Sequence, residues 1–256
     1  MSAKASEDDG PFDWLGNPVS CTDCPHEESR LKGLCDLGRT CVMDRRGKRI
    51  DRFFSTNPAQ AERYLSHPYF EVRTLAARHA TPFRLPALID DPEPDVRAMV
   101  ALRLPLTRVR ELMDDPDPRV RMALAMRLDG EALATFFSDE DYNVRLVAAR
   151  RAAPGLLVRL KNDPDPAVRC VVARRIEDYL LVGMIHDPDP LVRIDVAARL
   201  EPKRLLLMAD DADIRVRFRV AERLPLSDLK RLVDDGDECV RDVARERLQS
   251  GNKGDA

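Results

Sequence analysis

From about residue 70 onward the chain alternates two kinds of apolar stretch, a longer one with helical spacing and a shorter one bounded by polar residues. In the unit DDPDPRVRMALAMRLDGEALATFF, from Asp114 to Phe137, Val120, Leu124 and Leu128 stand at i, i+4 and i+8 with Ala125 beside them. That spacing makes one apolar stripe on an α-helix. Asp117-Pro118 predicts its start, because the carboxylate takes an orphan N–H and proline lacks the one that would go unpaired. Asp129-Gly130 ends it, and Leu133, Phe136 and Phe137 predict a second helix of one to two turns, 3₁₀ in character.

The dipeptide Val-Arg marks the period, at Val72-Arg73, Val96-Arg97, Val120-Arg121, Val144-Arg145, Val168-Arg169, Val192-Arg193, Val216-Arg217 and Val240-Arg241, always 24 residues apart. Neither helix of a unit buries its stripe alone, so the units must stack and share a core. Small residues at Ala77, Ala101, Ala149, Ala173, Ala197 and Ala221 repeat the place of Ala125 and predict close helix approach. Strands fit poorly with the helical period and with Pro92, Pro116, Pro164 and Pro188, which fall where a sheet ladder needs an N–H. The pattern predicts an all-α solenoid of eight repeats over 53–249, a small cysteine domain over 1–52 and a disordered tail over 250–256.

Charge changes the picture little as a total and much as a pattern. Charged residues make up 34% of 256 residues yet cancel to a formal −3, so no global field marks a nucleic-acid or membrane partner. Of 42 basic residues 35 are arginine, and the repeat places them in two rows. One is the arginine of Val-Arg; the other lies six positions later, at Arg103, Arg127, Arg151, Arg175, Arg199, Arg223 and Arg247. Asp91, Asp115, Asp139, Asp163, Asp187, Asp211 and Asp235 recur in step, as do Asp117 and its counterparts four residues before the Val-Arg arginine. A stripe built for phosphate would not be neutralised at each step, so both rows predict ion pairs within or between repeats.

Ahead of the repeats, CTDCPHEESRLKGLCDLGRTC holds Cys21, Cys24, Cys35 and Cys41, four of six cysteines in the chain. The polar start shows no apolar leader and no later stretch suits a membrane span, which predicts a cytoplasmic protein whose clustered thiols bind metal rather than pair. Two thiolates two residues apart grip one centre and the other two complete four ligands; spacing alone leaves zinc and an iron–sulfur cluster both open. His26 is read as a solvated side chain, since four cysteines suffice. Arg39, Arg45, Arg46, Lys48, Arg49 and Arg52 follow as a basic run that suits an anionic centre, a solvated face or a nucleic-acid contact. Cys170 is expected to pack in the core and Cys239 to be an exposed free thiol.

With its D-x-D-P-x-V-R-x-x-A-x-x-x-R-L unit and the four-cysteine segment before it, the chain resembles the leucine-rich repeat variant proteins over nearly its whole length. The unit is also similar to HEAT repeats and the related repeats of bilin lyases, which share the Asp, Val-Arg and Ala pattern but are longer, about 30 to 40 residues or more with two full helices. The resemblance implies a right-handed superhelix of alternating α and 3₁₀ helices preceded by a [4Fe–4S] domain with Cys21, Cys24, Cys35 and Cys41 as ligands. Phe12, Trp14, Phe53 and Phe54 flank the cysteines and are expected to cover the first repeat. No nucleophile-and-base set or phosphate loop is present. The reading is a non-enzymatic scaffold engaging a protein partner, its cluster structural or redox- and oxygen-sensing. A nucleic-acid-binding solenoid and a small electron carrier are the alternatives.

Overall fold

The computed structural model describes residues 10–22 and 24–253, the side chains of 252 and 253 excepted. The polar start read for a leader falls largely on residues outside these. Contacts divide the chain into two compact units, one ending at Leu128 and one beginning at Asp129.

In the first unit, α1 (Glu27–Leu31) lies among the cysteines and α2 (Gly47–Thr56) follows them; α3 (Phe70–His79), α4 (Pro94–Arg103) and α5 (Pro118–Ala125) are repeat helices, and neighbours from α2 to α5 pack in sequence. The second unit holds α6 (Gly130–Ala134), α7 (Tyr142–Arg151), α8 (Pro166–Arg175), α9 (Asp178–Leu181), α10 (Pro190–Arg199), α11 (Ile214–Ala221) and α12 (Glu238–Lys253). In it α7, α8, α10, α11 and α12 pack in that order. Between the long helices run 3₁₀ segments such as Pro82–Leu88, Pro154–Leu160 and Pro202–Met208. Their buried pairs, Leu85 with Leu88, Leu157 with Leu160 and Leu205 with Met208, are three residues apart, one turn of a 3₁₀ helix, so both face the core. Among the described residues there are two isolated β-bridges, Phe12 with Pro18 and Asp36 with Thr40, and no longer strand.

The D-x-D-P motif is two nested turns. Asp163 accepts the N–H of Asp165 at 2.8 Å, and Asp165, the N-cap of α8, accepts that of Ala167 at 2.8 Å. The same pair of bonds starts α5, α7, α10 and α11. Behind each start the Val of Val-Arg and the alanine five positions on are fully buried.

The two arginine rows do different work. Those of Val-Arg reach forward to the next repeat: Arg145 Nε and Nη2 grip both oxygens of Asp163 at 2.7 and 3.0 Å, and its Nη1 donates to the Asp139 and Glu140 carbonyls. Arg73–Asp91 and Arg97–Asp115 in the first unit, and Arg169–Asp187, Arg193–Asp211 and Arg217–Asp235 in the second, repeat the fork. The partner is therefore the aspartate of the next unit; the one four residues earlier on the same helix is occupied as the N-cap.

The second row was expected to pair with carboxylates and mostly does not. Arg175 donates to the carbonyls of Ala149 and Ala152, Arg223 to Ala197 and Leu200, and Arg247 to Ala221 and Leu224, all at the end of the preceding long helix. A helix end leaves carbonyls without partners, and a guanidinium satisfies two at once. Arg151, which bonds Asp129 at 3.1 Å, is the one described with a carboxylate alone, and Arg199 adds Asp178 to its carbonyls.

His67 shows why the first repeat departs from the pattern. It stands two residues before the N-cap Tyr69, where later units have aspartate, and its Nδ1 accepts the Tyr69 N–H at 3.1 Å as those aspartates do. An aspartate also needs the arginine eighteen residues before it. Here that residue is Arg49, which is engaged by the fully buried Asp44 at 2.8 Å. A neutral imidazole keeps the turn without leaving a charge unpaired.

Two expected boundaries move. The divide at 52/53 falls inside α2, and α12 runs on through 250–253, which were assigned to the tail. The Gly251 backbone lies against the Leu226 side chain there, so the helix end has something to dock on. Residues 254–256 lie outside the described residues.

Candidate metal centre

The cysteine segment is a series of tight turns with little regular structure of its own. Glu27 N–H donates to the Cys24 carbonyl, so α1 begins just past the first cysteine pair. It ends at Gly33, whose φ of 72° lets Gly33 and Leu34 donate back to Arg30 and Ser29. That double closure reverses the chain and returns Cys35 toward Cys24. A second positive-φ glycine, Gly38, turns the chain between Asp36 and Thr40, which exchange backbone hydrogen bonds, so Cys35 and Cys41 flank one small loop. Cys41 N–H then donates to Arg49 on α2, fixing the loop to the stack.

All four thiols are free; Cys35 and Cys41 are buried, Cys21 and Cys24 half-buried. They are electrostatic neighbours. Burial pushes the Cys35 thiol up from its ordinary value, with Cys24 and Cys21 adding to it. Burial raises Cys41 to about 12, with contributions from Cys35 and Cys24. Such thiols lose their protons only to a bound cation, so loading a metal here releases protons. Among the described residues no group of three or more His, Cys, Asp or Glu side chains is placed to hold a metal ion. The donor set of four thiols suits an iron–sulfur core, in which each cysteine ligates its own iron.

The walls are aromatic. Phe53 and Phe54 lie seven and eight residues past the N-cap of α2, where α3 has Ala76 and Ala77, and both are fully buried. Large rings replace the small pair because the cysteine loops, not another repeat helix, cover this side. Trp14 meets His67 edge-on at 4.6 Å and stacks on Tyr69 at 6.1 Å, so the expected cover is present. His26, read as solvated, is buried: its ring packs on Phe53 at 4.7 Å and its Nε2 bonds the Tyr64 hydroxyl. Burial, with Arg63 nearby, lowers its pKa, so the neutral ring is favoured.

Tyr64 is a residue that sequence reasoning passed over. It ends the first 3₁₀ segment, and burial together with the thiols of Cys24, Cys41 and Cys35 pushes its hydroxyl up to about 12. A single tyrosine at a helix end carries no signal; only its neighbours give it meaning. The basic run divides by role. Arg49 turns inward to the fully buried Asp44 at 2.8 Å and to the Gly10 carbonyl, Arg45 lies over the Phe12 ring at 5.4 Å, and exposed Arg52 donates to the Arg39 carbonyl. Cys170 is buried as expected, its thiol raised to about 11 by burial and by Asp195, and Cys239 is exposed.

Known proteins resemble the chain on the same features. Residues 11–63 match the family described as LRV protein FeS4 cluster. A Rhodobacter capsulatus protein described as an uncharacterized 27.7 kDa protein in the nifB 3′ region is 48% identical over 84 residues, which are 33% of this chain and 34% of that one. The chain thus spans about a third of that curated relative. A solved structure described as a leucine-rich repeat variant with a novel repetitive protein structural motif aligns at a TM-score of 0.82 and 39% identity, covering 90% of this chain and 99% of that one. No helix among the described residues is long and apolar enough to cross a membrane. An iron–sulfur domain and this repeat fold occur together here, and the chain belongs to the leucine-rich repeat variant family.

Proposed function

We propose that the protein is a binding scaffold rather than an enzyme, with a [4Fe–4S] cluster held by Cys21, Cys24, Cys35 and Cys41 at one end of its first unit and a protein partner engaged through exposed faces of the repeat helices. What supports this reading is the match of residues 11–63 to the iron–sulfur family together with four free thiols that act on one another electrostatically, Cys35 with Cys24 and Cys21, and Cys41 with Cys35 and Cys24. The bound cluster would supply a one-electron centre sensitive to its surroundings; the chain supplies four sulfurs and Tyr64, which bonds His26 of the cysteine segment and meets the His67 ring of the first repeat. Exposed apolar side chains on separate long helices, Leu102 on α4, Tyr142 on α7 and Leu191 on α10, favour a protein over a polyanion as partner.

Anaerobic purification followed by iron and sulfide assay tests the cofactor. About four of each per chain is the expected result, lost on Cys35→Ser or Cys41→Ser. A colourless protein with one zinc per chain refutes it. A photo-crosslinking residue at 102, 142 or 191, introduced in the source cell, tests the scaffold. A discrete protein adduct is expected, and none at any of the three positions refutes a protein partner on these faces.

A further inference from the structure

A groove of about 1080 Å³ opens in the first unit between the start of α2 and the outward faces of α3 and α4. Its floor is apolar, from Phe70, Leu75, Ala98, Met99 and Leu102. Six basic side chains line it against three acidic ones, with Arg46, Lys48, Arg52 and Arg78 on its walls. The three carboxylates are already engaged. Asp51 bonds His79 at 2.9 Å and Arg78 at 3.4 Å, Glu71 accepts from the Tyr69 hydroxyl at 2.6 Å, and Asp95 takes Arg119 at 3.0 and 3.1 Å. Lys48 and Arg52 are exposed, and the carbonyl that Arg52 meets is neutral and leaves its charge standing.

We infer that this groove docks an acidic, amphipathic segment of a partner protein, with carboxylates against the Lys48–Arg52 wall and aliphatic side chains on the floor. The inference rests on the scaffold reading and gives its partner a chemistry. Charge complementarity selects an acidic occupant. The floor selects peptide over nucleic acid: its one aromatic ring, Phe70, is part-buried and packs edge-on with Tyr69 at 5.4 Å, and Leu75, Met99 and Leu102 offer aliphatic surface with no hydrogen-bonding groups for base edges. The same wall belongs to the cysteine module, so the segment lies across the joint between that module and the first two repeats.

The test uses the full chain, loaded with its cluster under anaerobic conditions. The probes are a fluorescein-labelled fourteen-residue peptide of Glu and Leu at helical spacing, its Gln-for-Glu counterpart, and labelled single- and double-stranded DNA, read by anisotropy. Binding of the acidic peptide is expected to weaken about tenfold or more in Lys48→Glu/Arg52→Glu, and to change less than about twofold in the charge-matched Lys203→Glu/Lys230→Glu. The Gln peptide is expected to bind at least about tenfold more weakly than the Glu peptide. Circular dichroism confirms that each variant keeps its helix content. No binding of the acidic peptide, equal binding of the Gln peptide, or equal loss in both variants overturns the proposal. Tighter binding of DNA that is lost in Lys48→Glu/Arg52→Glu overturns it in favour of a phosphate-binding wall. If the peptide fails while residues 142 or 191 crosslink to a protein, the groove assignment falls and the scaffold stands; failure of both removes both.

Discussion

Replacing Asp163 by alanine strips the counter-ion from a guanidinium that has nowhere else to put its charge. Arg145 is 8% exposed and Asp163 6%, and besides its two bonds to Asp163 the guanidinium is held by the Asp139 and Glu140 carbonyls, so it stays in place when its partner is gone. Removing one member of a buried ion pair costs about 3–5 kcal/mol. The unmade bond to the Asp165 N–H adds about 1 kcal/mol. The comparison variant Asp165→Ala removes only an N-cap from the same turn, for about 1 kcal/mol. Because repeat arrays do not always unfold in one step, the assay pairs urea unfolding followed by circular dichroism with native-state hydrogen exchange of α7 and α8 amides. Asp163→Ala should lower protection across both helices, and Arg145→Met/Asp163→Ala should be more stable than Asp163→Ala alone, since the stranded charge is gone. The reasoning fails if Asp163→Ala costs no more than Asp165→Ala, or if the double variant is the less stable.

Arg175→Ala should cost about 1–3 kcal/mol by leaving the Ala149 and Ala152 carbonyls without a donor, and Arg175→Lys should recover only part of it because an ammonium lacks the fork; thermal melts of the three proteins check this. Ala173→Leu forces a larger side chain into a fully buried close approach and should cost about 1–3 kcal/mol or more, seen as a lower melting temperature. Arg217 beside Asp235 holds its carboxyl below the ordinary 3.8, so the folded state binds fewer protons there than the unfolded chain. The stabilisation is present above pH 3.8 and is lost as pH falls through the folded value; Asp235→Asn should flatten the dependence of the urea midpoint on pH in that window and leave it unchanged near neutrality.

The stripe from Val120 to Leu128, the N-cap at Asp117 and the short second helix were legible because each depends on residues close in sequence. The forward pairing of Arg145 with Asp163 was half legible: the need for carboxylates could be read, but whether they lay on the same helix or the next depends on how the units stack. The second row misled because Arg175 binds backbone carbonyls, which every residue has and no pattern marks. His26 was misplaced for a similar reason. Its cover, Phe53 and Tyr64, comes from α2 and the first 3₁₀ segment, and nothing in CTDCPHEES shows that they close over it. The cysteine set stood out through spacing, while Tyr64 is tied to those thiols only by the fold.

Two recurring sets of long-range bonds in the second unit keep fixed offsets. An arginine looks eighteen positions ahead for its carboxylate, and another looks twenty-three and twenty-six behind for its carbonyls. Excise residues 154–177, one whole period, and Arg145 meets Asp187 at its usual offset while Arg199 finds Ala149 and Ala152 at its own. Loss or duplication of whole periods therefore splices without mismatch, whereas a cut that is not a whole number of periods derails each of these bonds that crosses it. Within the second unit the number of repeats can change by whole counts with these bonds intact.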